Sequence, residues 1–224
     1  MEEPILNLKR FTATLALVLG CATLAHSAEL RVTVKDHKGK SVGDAVVLAV
    51  PMDPRNAQHS RPPQDAVDQV DKQFVPFVKP VFVGSTVRFP NSDNIRHQVY
   101  SFSPAKKFEL PLYGGTNAPP VIFDKPGVVV LGCNIHDWMI GYIYVSETPF
   151  FAKTGPLGTA SITDMPPGDY LVRIWHPNMD RAEETTSRQV ALGAEPVAIA
   201  EWQLGLKPSI HVPRVSGAAS PSYP

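Results

Sequence analysis

The chain has 224 residues, with 21 basic and 21 acidic side chains, long enough for one large or two small hydrophobic cores. The even charge balance excludes the basic footprint of a nucleic-acid binder or a polybasic membrane-surface protein from the bulk composition. Its 23 prolines and 15 glycines sit between short β-rich runs, which argues against a helical bundle and for an all-β chain with many turns.

At the N-terminus Lys9 and Arg10 precede an apolar stretch over residues 11–19, and small residues follow through Ala25-His26-Ser27-Ala28. Basic, then apolar, then small is the layout of a secretory signal rather than a buried helix. Residues 1–28 are therefore expected to leave, with the cut after Ser27 or Ala28. The apolar run is shorter than the roughly 20 residues that cross a bilayer, so no transmembrane span is expected. Val18-Leu19-Gly20-Cys21 faintly resembles a lipoprotein box, but Val18 and Leu19 are poor occupants of it, and lipid anchoring is the lesser reading.

Export bears on the cysteines. The chain has two, Cys21 and Cys133, and Cys21 would depart with the signal. Cys133 is then one thiol in an oxidising compartment, without an internal partner and open to oxidation unless buried or metallated. An inert buried Cys133 is the plain alternative. A catalytic nucleophile would need a base and oxyanion donors, and no hydrolase signature lies nearby.

Two strands are predicted at 30–34 and 45–50, separated by the polar turn Asp36-His37-Lys38-Gly39-Lys40. Residues 52–65 have no apolar period and read as a loop. Short strands then recur at 74–78, 81–83, 86–89, 98–102, 121–123, 128–131 and 140–145, the density a β-sandwich requires. Further strands are expected at 160–162, 170–175 and 190–204. The tail 207–224, rich in Pro, Ser and Ala, reads as disordered.

The run Val130-Leu131-Gly132-Cys133-Asn134-Ile135-His136-Asp137-Trp138-Met139 carries the chemistry. A soft thiolate, an imidazole and a thioether spaced three apart are three of the four ligands of a blue-copper site, in which a second imidazole completes the trigonal plane and Met is the long axial ligand. His97, upstream, is placed to be that second imidazole. The chain must turn sharply after Leu131-Gly132, so one short loop can bring Cys133, His136 and Met139 to a point. Ile95, Ile135 and Trp138 are expected to exclude water there.

These residues carry a resemblance. Val83-x-x-x-Val87-x-Phe89-x-Asn91-x-Asp93 leading to His97, then Phe123-Asp124-x-Pro126-Gly127 leading to Cys133-x-x-His136-x-x-Met139-x-Gly141-x-Ile143-x-Val145, resembles a plastocyanin-like cupredoxin. The short gap from His136 to Met139 is most similar to the ligand loop of amicyanin. The resemblance implies a Greek-key β-sandwich over residues 66–148, one type 1 copper ion held by His97, Cys133, His136 and Met139, and one-electron transfer without catalysis. It also implies a periplasmic location and a redox protein as partner, a dehydrogenase or a cytochrome. Two positions and one flank depart from the family pattern. Gln98 stands where an Asn commonly ties the two ligand loops together, Leu131 stands where an aromatic is usual, and Asp137-Trp138 replaces a proline-rich flank.

The outer segments resemble something else. Val32-x-Val34-x-Asp36-x-x-Gly39-x-x-Val42-x-x-Ala45-x-Val47 and Gly158-x-Ala160-x-Ile162-x-Asp164-Met165-Pro166-Pro167-Gly168-x-Tyr170-x-Val172 resemble a carboxypeptidase-regulatory-like or transthyretin-like sandwich. That implies a second small β-sandwich from residues 29–51 and 155–206, with the copper domain inserted between Pro51 and Gly155 or flanked by it. Two other functions stay open on the residues: a copper carrier or sensor that does not cycle electrons, and a structural envelope module. Trp138 is open between a docking contact and core packing. Lys106 and Lys107 read as a solvated turn, His176 as an ordinary strand-end histidine, and His37, His59 and His211 are given no role.

Overall fold

The computed structural model describes residues 27–57, 64–193, 195 and 197–208. The expected signal up to His26, His59, His211 and the tail from residue 209 lie outside the described residues. Ala28, at the end of the expected signal, opens the first strand and pairs with Met165.

The described chain is all-β, as the sequence predicts, and its strands stack in four layers. Strands β1 (Ala28–Asp36), β14 (Thr159–Met165) and β17 (Val197–Leu204) form the outermost sheet, in the order β14-β1-β17. Beneath it lies the sheet β13-β2-β15-β16, from Phe151–Lys153, Val46–Pro51, Gly168–Trp175 and Arg188–Leu192. Next comes a five-stranded sheet, β6-β12-β11-β8-β9, from Val78–Phe82, Ile140–Ser146, Gly127–Gly132, His97–Ser103 and Lys106–Tyr113. The last layer is β10-β7-β3, from Val121–Phe123, Ser85–Arg88 and Gln64–Ala66. A two-stranded ribbon, β4 (Asp68–Val70) with β5 (Gln73–Val75), flanks it.

Side-chain alternation fixes which face each strand buries. In β1, Ala28, Leu30, Val32 and Val34 all point into one core, shared with Val172, Ile174 and Trp202. A separate core gathers Phe89, Val99, Phe123, Leu131, Cys133 and Met139 between the third and fourth layers. The run at 45–50 lacks alternation because β2 is covered on both faces. Val47 and Ala49 enter the first core, while Val46 and Leu48 meet Val78, Tyr144 and Trp175 in a seam between the two sandwiches. Trp175 stacks there with its ring centroid 5.8 Å from Tyr142 and 5.3 Å from Tyr144.

Five local expectations are corrected. Lys106 and Lys107 are not a turn: they open β9, with Lys107 opposite Phe102 and the Lys106 ammonium 3.0 Å from Asp124. The run 74–78 is broken, because Pro76 has no N–H for a ladder and separates β5 from β6. The expected strand 190–204 is two strands, β16 and β17, parted near Gly193. Residues 52–65 include a 3-10 turn at Pro54–Asn56 and the start of β3, and β13 begins at Phe151, ahead of residue 155.

His176, just after β15, is nearly buried. Burial holds its imidazole below the ordinary range, against opposing effects of Asp44 and the Gly43 backbone. Its Nδ1 accepts the Asn178 N–H at 3.1 Å, a bond that protonation would remove. A folded-state pKa below the unfolded value means that the unfolded chain binds the extra proton first. Stability is therefore present above about pH 6.5, the unfolded value, and declines as pH falls from there through the depressed folded value. Thermal melts of the wild type and His176→Gln from about pH 7.5 to 5 should show the wild type losing more. Parallel profiles would contradict this assignment.

Candidate metal centre

Three of the four sequence-predicted ligands come together. His97, Cys133 and His136 each offer an atom within 4.8 Å of the others. Cys133 Sγ lies 3.7 Å from His97 Nδ1 and 3.9 Å from His136 Nδ1, and the two imidazole centroids are 5.0 Å apart. With bond lengths of the kind found for zinc, about 2.3 Å to sulfur and about 2.0 Å to nitrogen, a trigonal angle of about 120° separates S and N by about 3.7 Å. The spacing thus fits one ion held between thiolate and imidazoles. Met139 is buried in the same core as Cys133, at the end of the ligand loop, where its N–H donates to His136 O at 2.9 Å and closes the turn before β12.

The elements dictate this placement. Cys133 follows β11, whose Leu131 and Val129 point into the core while Val130 faces out. Gly132, between them, lies under the Tyr100 ring: a Cβ there would come within 2.7 Å of it. His97 opens β8 and is fully buried (0% exposed). The loop before it is tied down by Asn91, whose side-chain amide donates to Ile95 O and Tyr113 O, both at 2.9 Å.

Electrostatics pulls this pair toward thiolate and imidazolium. Burial raises the Cys133 pKa, but His97 and the backbone N–H groups of Ile135, Gln98 and His136 outweigh it and hold the thiol below its ordinary range. Burial likewise disfavours a charged His97, yet Cys133 and Asp93 outweigh it and move its pKa up. Beneath the site, burial pushes Tyr113 up to about 12. It stays a neutral donor, bonding Phe89 O at 2.6 Å while accepting from Gln69 Nε2, also at 2.6 Å.

Sequence reasoning missed the support beneath the candidate ligands. Asp93 Oδ2 sits 2.7 Å from His97 Nε2, a role unread although an acid four residues before a candidate ligand was visible. The Gln98 side chain does not bridge the ligand loops; it bonds Glu109 at 2.6 Å, and the Gln98 N–H reaches Cys133 instead. Ile95 and Ile135 are exposed, so they form a rim and do not seal the site as expected. Trp138 is half-buried, its ring 5.2 Å from that of His136. A shallow depression of about 380 Å3, lined among others by Tyr100, Phe102, Val130, Cys133 and Met139, opens beside the site. Among the described residues no helix is long and apolar enough to cross a membrane.

No family model and no curated protein matches the chain. Among solved structures it is similar to a copper-containing nitrite reductase from Thermus scotoductus, at 32% identity over 44% of this chain and 27% of that one, with a TM-score of 0.37. The chain thus spans only about a quarter of that enzyme's length. It is also similar to a purple cupredoxin from Nitrosopumilus maritimus, at 22% identity over 37% of this chain and 99% of that one, TM-score 0.33. A reduced Cu(I) form of a mutant amicyanin gives 20% identity over 45% of this chain and 98% of that one, TM-score 0.34.

Proposed function

We propose that this chain is an exported, periplasmic copper protein of the cupredoxin type, a one-electron carrier with no catalysis of its own. Residues 66–148 form its copper domain, set within an outer sandwich made from the segments on either side. Cys133, His97 and His136 would hold one type 1 copper ion as its strong donors, with Met139 as the weak fourth ligand. Bound copper supplies a one-electron couple. The chain supplies a thiolate steadied by three backbone N–H groups, one imidazole at the start of β8 and one on the loop after β11, and a sandwich that holds them through both oxidation states. The partner is another redox protein, a dehydrogenase or a cytochrome.

The observation that carries this reading is the pair of sulfur–nitrogen separations, 3.7 and 3.9 Å, around one buried thiol. Voltammetry of the copper-loaded protein tests electron cycling. A reversible one-electron wave, with copper retained over repeated cycles, is expected. Release of copper on each reduction would contradict a carrier of electrons and favour a carrier of copper.

A further inference from the structure

We infer that Asp93, gripped by the turn at Asp71 and Lys72, is the positioning residue that fixes the tautomer of His97. On the copper reading above, it thereby also sets the reduction potential of the centre. The chain of contacts runs from the ribbon β4–β5 to the candidate ligand. Asp93 Oδ1 accepts the Asp71 N–H at 2.6 Å, and Oδ2 accepts the Lys72 N–H at 2.9 Å. The same Oδ2 is 2.7 Å from His97 Nε2, and the Asp93 N–H donates to Asn91 Oδ1 at 3.0 Å. The Asp93 side chain is 11% exposed and that of His97 0%.

The turn is unusual in a way that explains its purpose. Asp71 and Lys72 have φ of 51° and 60°, the left-handed pair of a two-residue hairpin that ordinarily takes Asn-Gly or Asp-Gly. Such conformations in residues with a Cβ persist where surrounding contacts over-determine them. Here the conformation aims two successive backbone N–H groups at one carboxylate, an anion-holding nest. Asp93 is thus fixed from one side by the turn, and its remaining capacity goes to His97.

The consequence is chemical. In the neutral ring, a carboxylate acceptor at 2.7 Å claims the single proton for Nε2 and leaves the Nδ1 lone pair directed toward Cys133 Sγ, 3.7 Å away. A carboxylate behind a ligating histidine also strengthens the imidazole as a donor, which favours Cu(II) over Cu(I) and lowers the potential.

The test begins without metal. Nitrogen-15 NMR of the full, metal-free chain, recorded above the imidazole titration range, should show His97 protonated at Nε2 and bare at Nδ1. Protonation at Nδ1 would overturn the inference. In Asp93→Asn, loss of such a partner typically costs 10–100-fold in metal affinity. Applied to Cu(II) alone, that raises the potential by about 60–120 mV, at about 59 mV per tenfold for one electron. Asp93→Glu should recover most of the shift. A potential and tautomer unchanged in Asp93→Asn would also overturn the inference. Because the wild-type tautomer is read without substitution or copper, a variant that fails to fold leaves the test decisive. An Nε2-protonated His97 in a chain that binds no copper would support the positioning role and overturn the copper reading.

Discussion

Cys133→Ser is expected to remove essentially all of the intense visible absorption of the copper-loaded protein while leaving the fold in place. The band requires a sulfur donor, and a serine oxygen is a hard, poor substitute for one toward a soft metal. The fold should survive because the position is already prepared for a polar atom: the backbone N–H groups of Ile135, Gln98 and His136 point at Sγ and would satisfy a hydroxyl. The cost to stability should therefore stay near about 1 kcal/mol, below the penalty for an unpaired buried group. Absorption and thermal melting of the same preparation check both halves. A variant that keeps the band would show that Cys133 is not the sulfur ligand.

Gly158→Ala should be the most damaging small substitution in the outer sandwich. Gly158 has a φ of +73°, and a Cβ there would lie 2.4 Å from Val34 O and 3.0 Å from Val42 N. Neither atom can yield cheaply: Val34 O accepts the Val42 N–H at 3.0 Å, and the Val34 N–H donates to Gly158 O at 2.7 Å. The left-handed backbone costs about 1–2 kcal/mol, and overpacking typically adds about 1–3 kcal/mol. About 3 kcal/mol in total corresponds to a Tm lower by roughly 6–12 °C for a chain of this size. Gly155→Ala is the control, since nothing lies within 4 Å of the Cβ it would add. Equal melting of the two variants would contradict this account of the turn.

The loop from Cys133 to Met139 was legible in the sequence as a candidate because its residue types are local. Cys133, His136 and Met139 are spaced by one turn, and the strands on either side alternate cleanly. His97 was legible only through its residue type and the pattern around Phe89 and Asn91. What could not be read was the grip on His97, because Asp71 and Lys72 reach Asp93 across more than twenty residues and through a backbone conformation that their side chains do not advertise. The run at 45–50 shows the same limit in the fold. Its unbroken apolar character announced a strand, but not that Val46 and Leu48 belong to a seam with a second sandwich while Val47 and Ala49 belong to the first core. Strand β9 escaped because outward-facing Lys107 and Glu109 alternate with inward Phe108 and Leu110, a half-polar edge strand whose opening Lys-Lys pair imitates a turn.

The central claim is tested most directly by titrating the chain with Cu(II) while recording visible absorption and EPR. The account predicts one equivalent bound, with an intense blue or green band and the EPR signal of a single thiolate-ligated site. A chain that binds no copper, or holds it only as colourless Cu(I), would contradict it.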